Sequence, residues 1–450
     1  MSGRVFQLIP GVQSYDWGVP GSSKDCLVAR YAEATAPLHF QSEADRPYAE
    51  LWMGTHPNAP ARVVTGDAEP QGGYPTLAKR LCEDKTLIGQ QIVDKYGADP
   101  ERGALPFLFK VLSINKALSI QAHPDKKLAE QLHAQKPNMY KDDNHKPEMA
   151  IAIRAFEGFC GFRPVREVLH FLNMVPEYAE LLQVDEALVR SLQSAADAQD
   201  AAWKNGTEVP AEQVRGALRE VFGRLMRAEP EAYKDVVSRL ADRYAAAREA
   251  KQPTEVPDDV AELVVRLNTQ FPQDIGVLCT FVLNVVRLQE GEALFLRADE
   301  PHAYLSGHIL ECMAASDNVV RAGLTPKARD VEVLVSMLTY QSASAADQLL
   351  SPVPWDAEQA PGADGRSVSM LYDPPIPEFA VALTTLSGSA RKSEQRGVHG
   401  PSLVFGVQGN GTLHAGGASH KLAPGLLYYV AADTPVSLEG EMQVARAFLE

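Results

Sequence analysis

The chain has 450 residues, with 43 Lys+Arg against 58 Asp+Glu and a formal net charge of −15. Its 45% hydrophobic and 22% charged residues are ordinary globular composition, and its length suggests about two to four domains. The acidic balance argues against nucleic acid as the main partner, so an anionic ligand would have to meet a local cluster of Lys and Arg. Cys26, Cys82, Cys160, Cys279 and Cys312 are scattered and form no C-x-x-C. That argues against a disulfide scaffold or a cysteine zinc knuckle and for a reducing compartment. The opening MSGRVFQLIPGVQSYDWG has no apolar signal region, and no run approaches the length of a membrane span. The expectation is a cytoplasmic protein with no membrane partner.

Residues 1 to about 155 alternate short apolar runs with Gly, Pro and Asn, a strand-and-loop texture. ALPFLFKVL and ALSIQAH are the clearest strands. Lys110 interrupts LPFLFKVL, and a lysine inside a buried strand needs a partner or a ligand. In Leu118-Ser-Ile-Gln-Ala-His-Pro124, strand parity puts Ser119, Gln121 and His123 on one face and Leu118, Ile120 and Ala122 on the other. A buried polar face is costly unless it meets a metal or polar ligand; the plain alternative is a solvent-facing edge. In His145-Lys-Pro-Glu-Met-Ala-Ile-Ala-Ile153, Glu148 shares a face with Ala150 and Ala152, while Met149, Ile151 and Ile153 line the other. Small residues beside a carboxylate leave room for something to sit against it, although Glu148 alone reads as a surface residue.

From about 156 to 268 the periodicity becomes helical. Val214, Leu218, Val221, Phe222 and Leu225 form one stripe, and Tyr233, Val236, Val237, Leu240 and Tyr244 a second. Pro230 reads as the first residue of a helix. QDAAWKNGTEVPAEQ reads as a loop. The apolar stripes are core rather than ligand surface.

From about 277 the strand texture returns, in VLCTFVLNVVRL and EALFL. VEVLVSMLTY fits either strand or helix, 341–375 is loop-rich, and the last stretch looks all-β. A repeat lies within this half. Gly291-Glu-Ala-Leu-Phe-Leu-Arg-Ala-Asp-Glu-Pro-His302 aligns without gaps on Gly425-Leu-Leu-Tyr-Tyr-Val-Ala-Ala-Asp-Thr-Pro-Val436. This reads as two related β-barrels, of which only the first ends its unit on a ligand-capable residue. His302 completes an N₂O₂ set with Gln121, His123 and Glu148, which suits zinc or another borderline divalent ion. His56, His133 and His308 read as structural or surface histidines. Beyond His302, Arg321 and Lys327 follow the turn residues Ser316-Asp-Asn318. They are either solvated charges or a phosphate clamp.

The segments YAELWMGTHPNAPA, FKVLSINKALSIQAHPDK, HKPEMAIAI, PHAYLSGHILECMAASDNVVRAGLTPK and QSYDWG closely resemble the type I phosphomannose isomerase family. The matches run in order across residues 13 to 332; the last part of the chain is less distinctive. The resemblance implies a mainly β zinc-dependent cupin enzyme with an α-helical insertion. Residues 1–155 and 269–330 would form a metal-binding jelly-roll barrel, 156–268 a helical domain and 331–450 a second, metal-free barrel. It implies interconversion of mannose 6-phosphate and fructose 6-phosphate by a monomer, supplying mannose for GDP-mannose synthesis and glycosylation. The zinc ligands, one ion per chain, fall on Gln121, His123, Glu148 and His302, and the active-site arginine on Arg321. Ser119, Lys110, Lys146, Glu311 and Lys327 match pocket residues; Glu311 is the candidate for proton transfer, with a metal-bound water as its rival. The rival readings are isomerisation of another sugar phosphate, a metal-dependent cupin dioxygenase, and a non-enzymatic binding barrel.

Overall fold

The computed structural model describes residues 3–35, 40–66, 69–96, 103–355 and 368–450. Part of the loop-rich stretch, residues 356–367, lies outside them. The fold is mainly β with an α-helical insertion, and its strands form two large sheets. In the first, the path runs Leu283–Leu288, Glu148–Phe162, His302–Ala314, Phe107–Ile114, Glu50–Met53, Gly11–Gln13. Ala293–Leu296 adds to Glu148–Phe162, and Ile120–Ala122 bridges His302–Ala314 and Val320–Gly323. In the second, Ala380–Leu386, Val436–Phe448, Ser402–Ala415 and Leu427–Val430 are successive neighbours.

Neither path closes into a hydrogen-bonded ring among the described residues, so the expected barrels are folded sheets rather than closed cylinders. The long strands do the folding. Glu148–Phe162 pairs with Ala293–Leu296 along its first half and with Leu283–Leu288 along its second. Its pairing with His302–Ala314 shifts register twice, between Tyr304 and Ser306 and between Gly307 and Ile309. Such bulges bend a strand and let one strand serve both halves of a jelly roll.

Strand parity sorts the side chains into layers. Met149, Ile151 and Ile153 enter a buried cluster with Phe107, Phe109, Val111, Leu310 and Cys312. Leu403, Phe405, Leu427, Tyr429, Ala445 and Ala447 of the second sheet join the same cluster. One apolar layer therefore cements the two sheets back to back. Ala150 and Ala152 face the other way, into the interior of the first sheet with Leu112, Ile114, Tyr304 and Ile309.

Several elements differ from the sequence expectation. Strand Val5–Ile9 crosses over to pair with Leu427–Val430 of the second sheet. It caps an edge that would otherwise expose unpaired backbone groups. QDAAWKNGTEVPAEQ is mostly helix: Glu186–Asn205 continues through it and stops at Gly206 (φ +63°), and the next helix starts at Ala211. Gln199 and Ala202 are buried there, so packing overrides the polar composition. Ile275–Phe281 is a 3₁₀ helix, and the strand begins only at Leu283. Every residue of that turn is buried, and an all-round apolar run carries no readable period. Val331–Met337 resolves as a helix capped by the Asp330 side chain. Leu334, Val335, Leu338 and Tyr340 pack into the helical core, not the second sheet.

The helical stripes pack as their periodicity requires. Val214, Leu218, Val221, Phe222 and Leu225 are buried, as are Val236, Val237, Leu240 and Tyr244, in one cluster that reaches Ile120 and Ala122 beneath the site. Pro230 is the first residue of helix Pro230–Glu249. Among the described residues, no helix is long and apolar enough to cross a membrane.

Candidate metal centre and active site

Three strand ends converge on one point. His123 lies just past Ile120–Ala122, Glu148 opens Glu148–Phe162, and His302 opens His302–Ala314. All three side chains are buried, and one ligand atom from each lies within 4.8 Å of the others. His123 Nε2 is 3.5 Å from Glu148 Oε1, and His302 Nε2 is 3.3 Å from Glu148 Oε2. Zinc bonds of about 2.0–2.2 Å separate tetrahedral donors by about 3.4 Å, so the spacing suits that ion. His123 Nε2, His302 Nε2 and Glu148 Oε2 are buried without a hydrogen-bond partner. Three orphaned donors at one point are costly unless a cation joins them. The donor set therefore fits a zinc ion.

The rings are held for that role. His123 Nδ1 lies 2.7 Å from the Asn318 carbonyl and His302 Nδ1 3.1 Å from the Glu300 carbonyl. Each carbonyl accepts a hydrogen bond from the Nδ1 N–H, which leaves Nε2 as the free lone pair. Burial pushes the His123 imidazole down to about 4, keeping it neutral at physiological pH. Burial works against ionisation of Glu148 too. Lys146, whose Nζ is 3.1 Å from Oε1, is the main group opposing it, and the carboxyl is held well below the usual carboxylate range.

Gln121 is placed by register. It pairs with His302 on one side and with Arg321 on the other. Directly paired residues share a face, so Arg321, Gln121 and His302 form a row across three strands. Arg321 is half-buried, and burial lowers its pKa. Among the described residues it has no carboxylate at ion-pair distance, nor has Lys327. Arg321, Lys327, Ser119, Lys116, Tyr15 and Trp17 line a cavity of about 560 Å³.

Lys110 and Glu311 are cross-strand partners in the interior of the same sheet. Lys110 Nζ is 2.9 Å from Glu311 Oε2 and 3.6 Å from Glu50 Oε2. The Tyr304 hydroxyl donates to Glu311 Oε1 at 2.7 Å. Burial raises the Glu311 pKa, Lys110 opposes it, and the Glu148 and Glu50 charges push it further up. Burial alone would lower Lys110, but Glu311 and Glu50 outweigh it and keep the ammonium charged. The Trp52 indole N–H donates to Glu50, and its ring lies 5.0 Å from Lys110 Nζ.

Sequence reasoning passed over Glu50, Trp52 and Tyr304. Glu50 and Trp52 sit in YAELWM, where the test applied to Lys110, a charge inside a buried run, would have found the carboxylate. Tyr304 lies two residues past His302 and so shares its strand face. His56, read as structural, packs edge-on to Trp52 with Nε2 3.6 Å from Asp317 Oδ1.

Known proteins match this arrangement along the whole chain. The family model for the type I phosphomannose isomerase catalytic domain matches residues 5–165, that for its helical insertion domain 186–283, and that for its C-terminal part 369–418. Mannose-6-phosphate isomerase of Cryptococcus neoformans is 44% identical over 100% of both chains, and that of Saccharomyces cerevisiae likewise 44% over 100% of both. Among solved structures, a mutant phosphomannose isomerase from Salmonella typhimurium superposes with a TM-score of 0.76 at 28% identity, covering 99% of each chain. A zinc-bound mannose 6-phosphate isomerase gives 0.75 at 28% identity, covering 99% of this chain and 100% of that one. With its three family segments in order and relatives matching from end to end, the chain belongs to the type I phosphomannose isomerase family.

Proposed function

We propose that the protein is a zinc-dependent aldose–ketose isomerase that interconverts D-mannose 6-phosphate and D-fructose 6-phosphate through an enediol. The observation that carries this reading is the orphaned donor trio at zinc spacing, one strand from an arginine that lines an open cavity. The relatives named mannose-6-phosphate isomerase and the zinc-bound structure support it. His123, Glu148 and His302, with Gln121 as the fourth ligand, would hold one zinc per chain. Bound there, zinc supplies Lewis acidity to the substrate oxygens, and a neutral amide ligand leaves it more electrophilic than a second carboxylate would.

The chain's own groups have separate tasks. Arg321 and Lys327 meet the anionic parts of the substrate: the phosphate, or the oxygen on which negative charge develops. Ser119 and Lys146 flank the sugar. Glu311 takes the proton from C2 as the C2–H bond breaks, then returns it to C1, while a hydroxyl proton passes from O2 to O1. Lys110 and Tyr304 orient the Glu311 carboxyl and balance its charge. Burial of this group excludes water from the proton while it is held.

The same reading makes the protein a source of mannose for GDP-mannose synthesis, working as a cytoplasmic monomer. Its five scattered cysteines, with no C-x-x-C among them, support a reducing compartment. A coupled assay for fructose 6-phosphate, with and without chelator, tests the function. Turnover of mannose 6-phosphate that a chelator abolishes and zinc restores is expected. Turnover of only another sugar phosphate, or oxygen consumption, would overturn it.

A further inference from the structure

Residues 141–147 have no regular structure, and neither have 315–319. The two segments interlock beside the metal centre, and Asp142 is where they join. Its Oδ1 accepts from Ser316 Oγ at 2.8 Å, from the Asn144 N–H at 3.0 Å and from Asn318 Nδ2 at 3.1 Å. Its Oδ2 accepts from the Asp317 N–H at 2.8 Å, and its carbonyl from Asn318 Nδ2 at 2.7 Å. The Asn144 carbonyl accepts from Ser316 Oγ at 3.1 Å and from Asn318 Nδ2 at 3.0 Å.

Two paths lead from this joint to metal-binding side chains. Asn318 is fully buried, and its carbonyl is the partner of His123 Nδ1. That carbonyl belongs to no helix or strand; Asn318 is held by its side-chain bonds to the 141–147 segment and by the bond its N–H donates to Ser316 Oγ at 3.1 Å. Through Asn144 the same joint fixes the chain that leads to Lys146 and Glu148. Groups that orient a ligand by its second nitrogen commonly set metal affinity by 10–100-fold, although they never touch the ion.

We propose that Asp142 is a positioning residue of the metal centre. It fixes the Asn318 carbonyl that presents His123, and it sets the placement of the Lys146–Glu148 segment. This deepens the zinc reading and rests on it. The rival is a carboxylate that only stabilises a turn, and it makes a different prediction. A turn stabiliser alters the unfolding of the zinc-free protein and leaves zinc affinity alone; a positioning residue alters the affinity.

The test measures the zinc dissociation constant of the full-length protein by competition with a chromophoric chelator, alongside the unfolding midpoint of the zinc-free protein. Asp142→Ala is expected to weaken zinc binding by about 10–100-fold. Asp142→Asn, which keeps the Oδ1 acceptor, should recover part of the loss. Asp143→Ala, at the exposed neighbour, should bind zinc as the wild type does. At saturating zinc, Asp142→Ala should regain most of its kcat with KM little changed. Unchanged zinc affinity in Asp142→Ala overturns the proposal, as does an equal loss in Asp143→Ala. If Asp142→Ala does not fold, Asp142→Asn decides, because it keeps the size of the side chain and its Oδ1 acceptor and loses only the Oδ2 acceptor of the Asp317 N–H. Weaker zinc binding there supports the proposal and unchanged binding overturns it. A wild-type protein that binds no zinc would instead overturn the metal reading, and this inference with it.

Discussion

The strand pair that ends in His302 and the pair that ends in Val436 share one backbone plan. Gly291 and Gly425 turn at φ +84° and +89°, and Asp299 and Asp433 at +60° and +56°. The short strands are Ala293–Leu296 and Leu427–Val430, and the long ones His302–Ala314 and Val436–Phe448. Glycine adopts this left-handed geometry freely and aspartate tolerates it, so the turn chemistry of the repeat is preserved in both halves. The interiors have diverged. The first long strand carries His302, Tyr304 and Glu311 inward. The second carries Val436, Leu438, Met442 and Val444 into a buried apolar cluster. The second half stabilises its centre by dispersion and burial, with hydrogen bonds among Ser369, Thr384, Ser393 and Gln395 and from Arg446 to Gln395 and Ser402. The other keeps a costly set of buried polar atoms, stabilised by ion pairs and suited to a cation. A repeated scaffold can thus concentrate chemistry in one copy and leave the second as a packing partner.

The sharpest way to break this contrast is to make the first half resemble the second. Replacing Glu148 and His302 together by Ala should remove zinc from the purified protein and lower activity by about 10³-fold, the loss of several kcal/mol of charge stabilisation. Elemental analysis checks the first part; retained zinc would show that the ion sits elsewhere. Next in size is Glu311→Gln, which keeps the shape of the side chain but cannot accept the C2 proton. The expected fall in kcat is about 10²–10⁴-fold with zinc content unchanged. A near-normal kcat would take proton transfer away from Glu311.

The converse substitution, Val436→His, tests whether one ligand-capable residue is enough. It should cost about 1–3 kcal/mol in denaturant unfolding, because the imidazole is buried without a partner. The protein should still bind a single zinc, and a second equivalent would show that the second interior holds more donors than its packing suggests. The smallest effect concerns pH. Burial pushes the His308 ring of the first long strand from 6.5 down to about 4. Between those values the unfolded chain takes up a proton that the folded chain does not. Stability is therefore fully present above pH 6.5 and is lost as pH falls towards about 4. Val436–Phe448 contains no histidine. In the zinc-free protein, His308→Gln should flatten the fall of the unfolding midpoint over this range; an unaltered slope would assign it to other groups.

The sequence by itself determined what depends on near neighbours. The alternation of Met149, Ile151 and Ile153 against Ala150 and Ala152 follows from strand geometry, and the two clusters they enter keep that order. The stripes from Val214 to Leu225 and from Val236 to Tyr244 follow from the 3.6-residue turn of a helix, which no distant contact alters. Local pattern failed where the period was hidden, as in the wholly buried Ile275–Phe281 turn, or where packing outweighed composition, as in the helix that runs on to Asn205. Only the tertiary structure decided which strands lie side by side. It sent Val5–Ile9 across to the second sheet, set Glu50 against Lys110, and brought His123, Glu148 and His302 to one point. Those pairings are made by ladders between segments far apart in the chain. Their free energy comes from burying whole faces together, which no window of sequence contains.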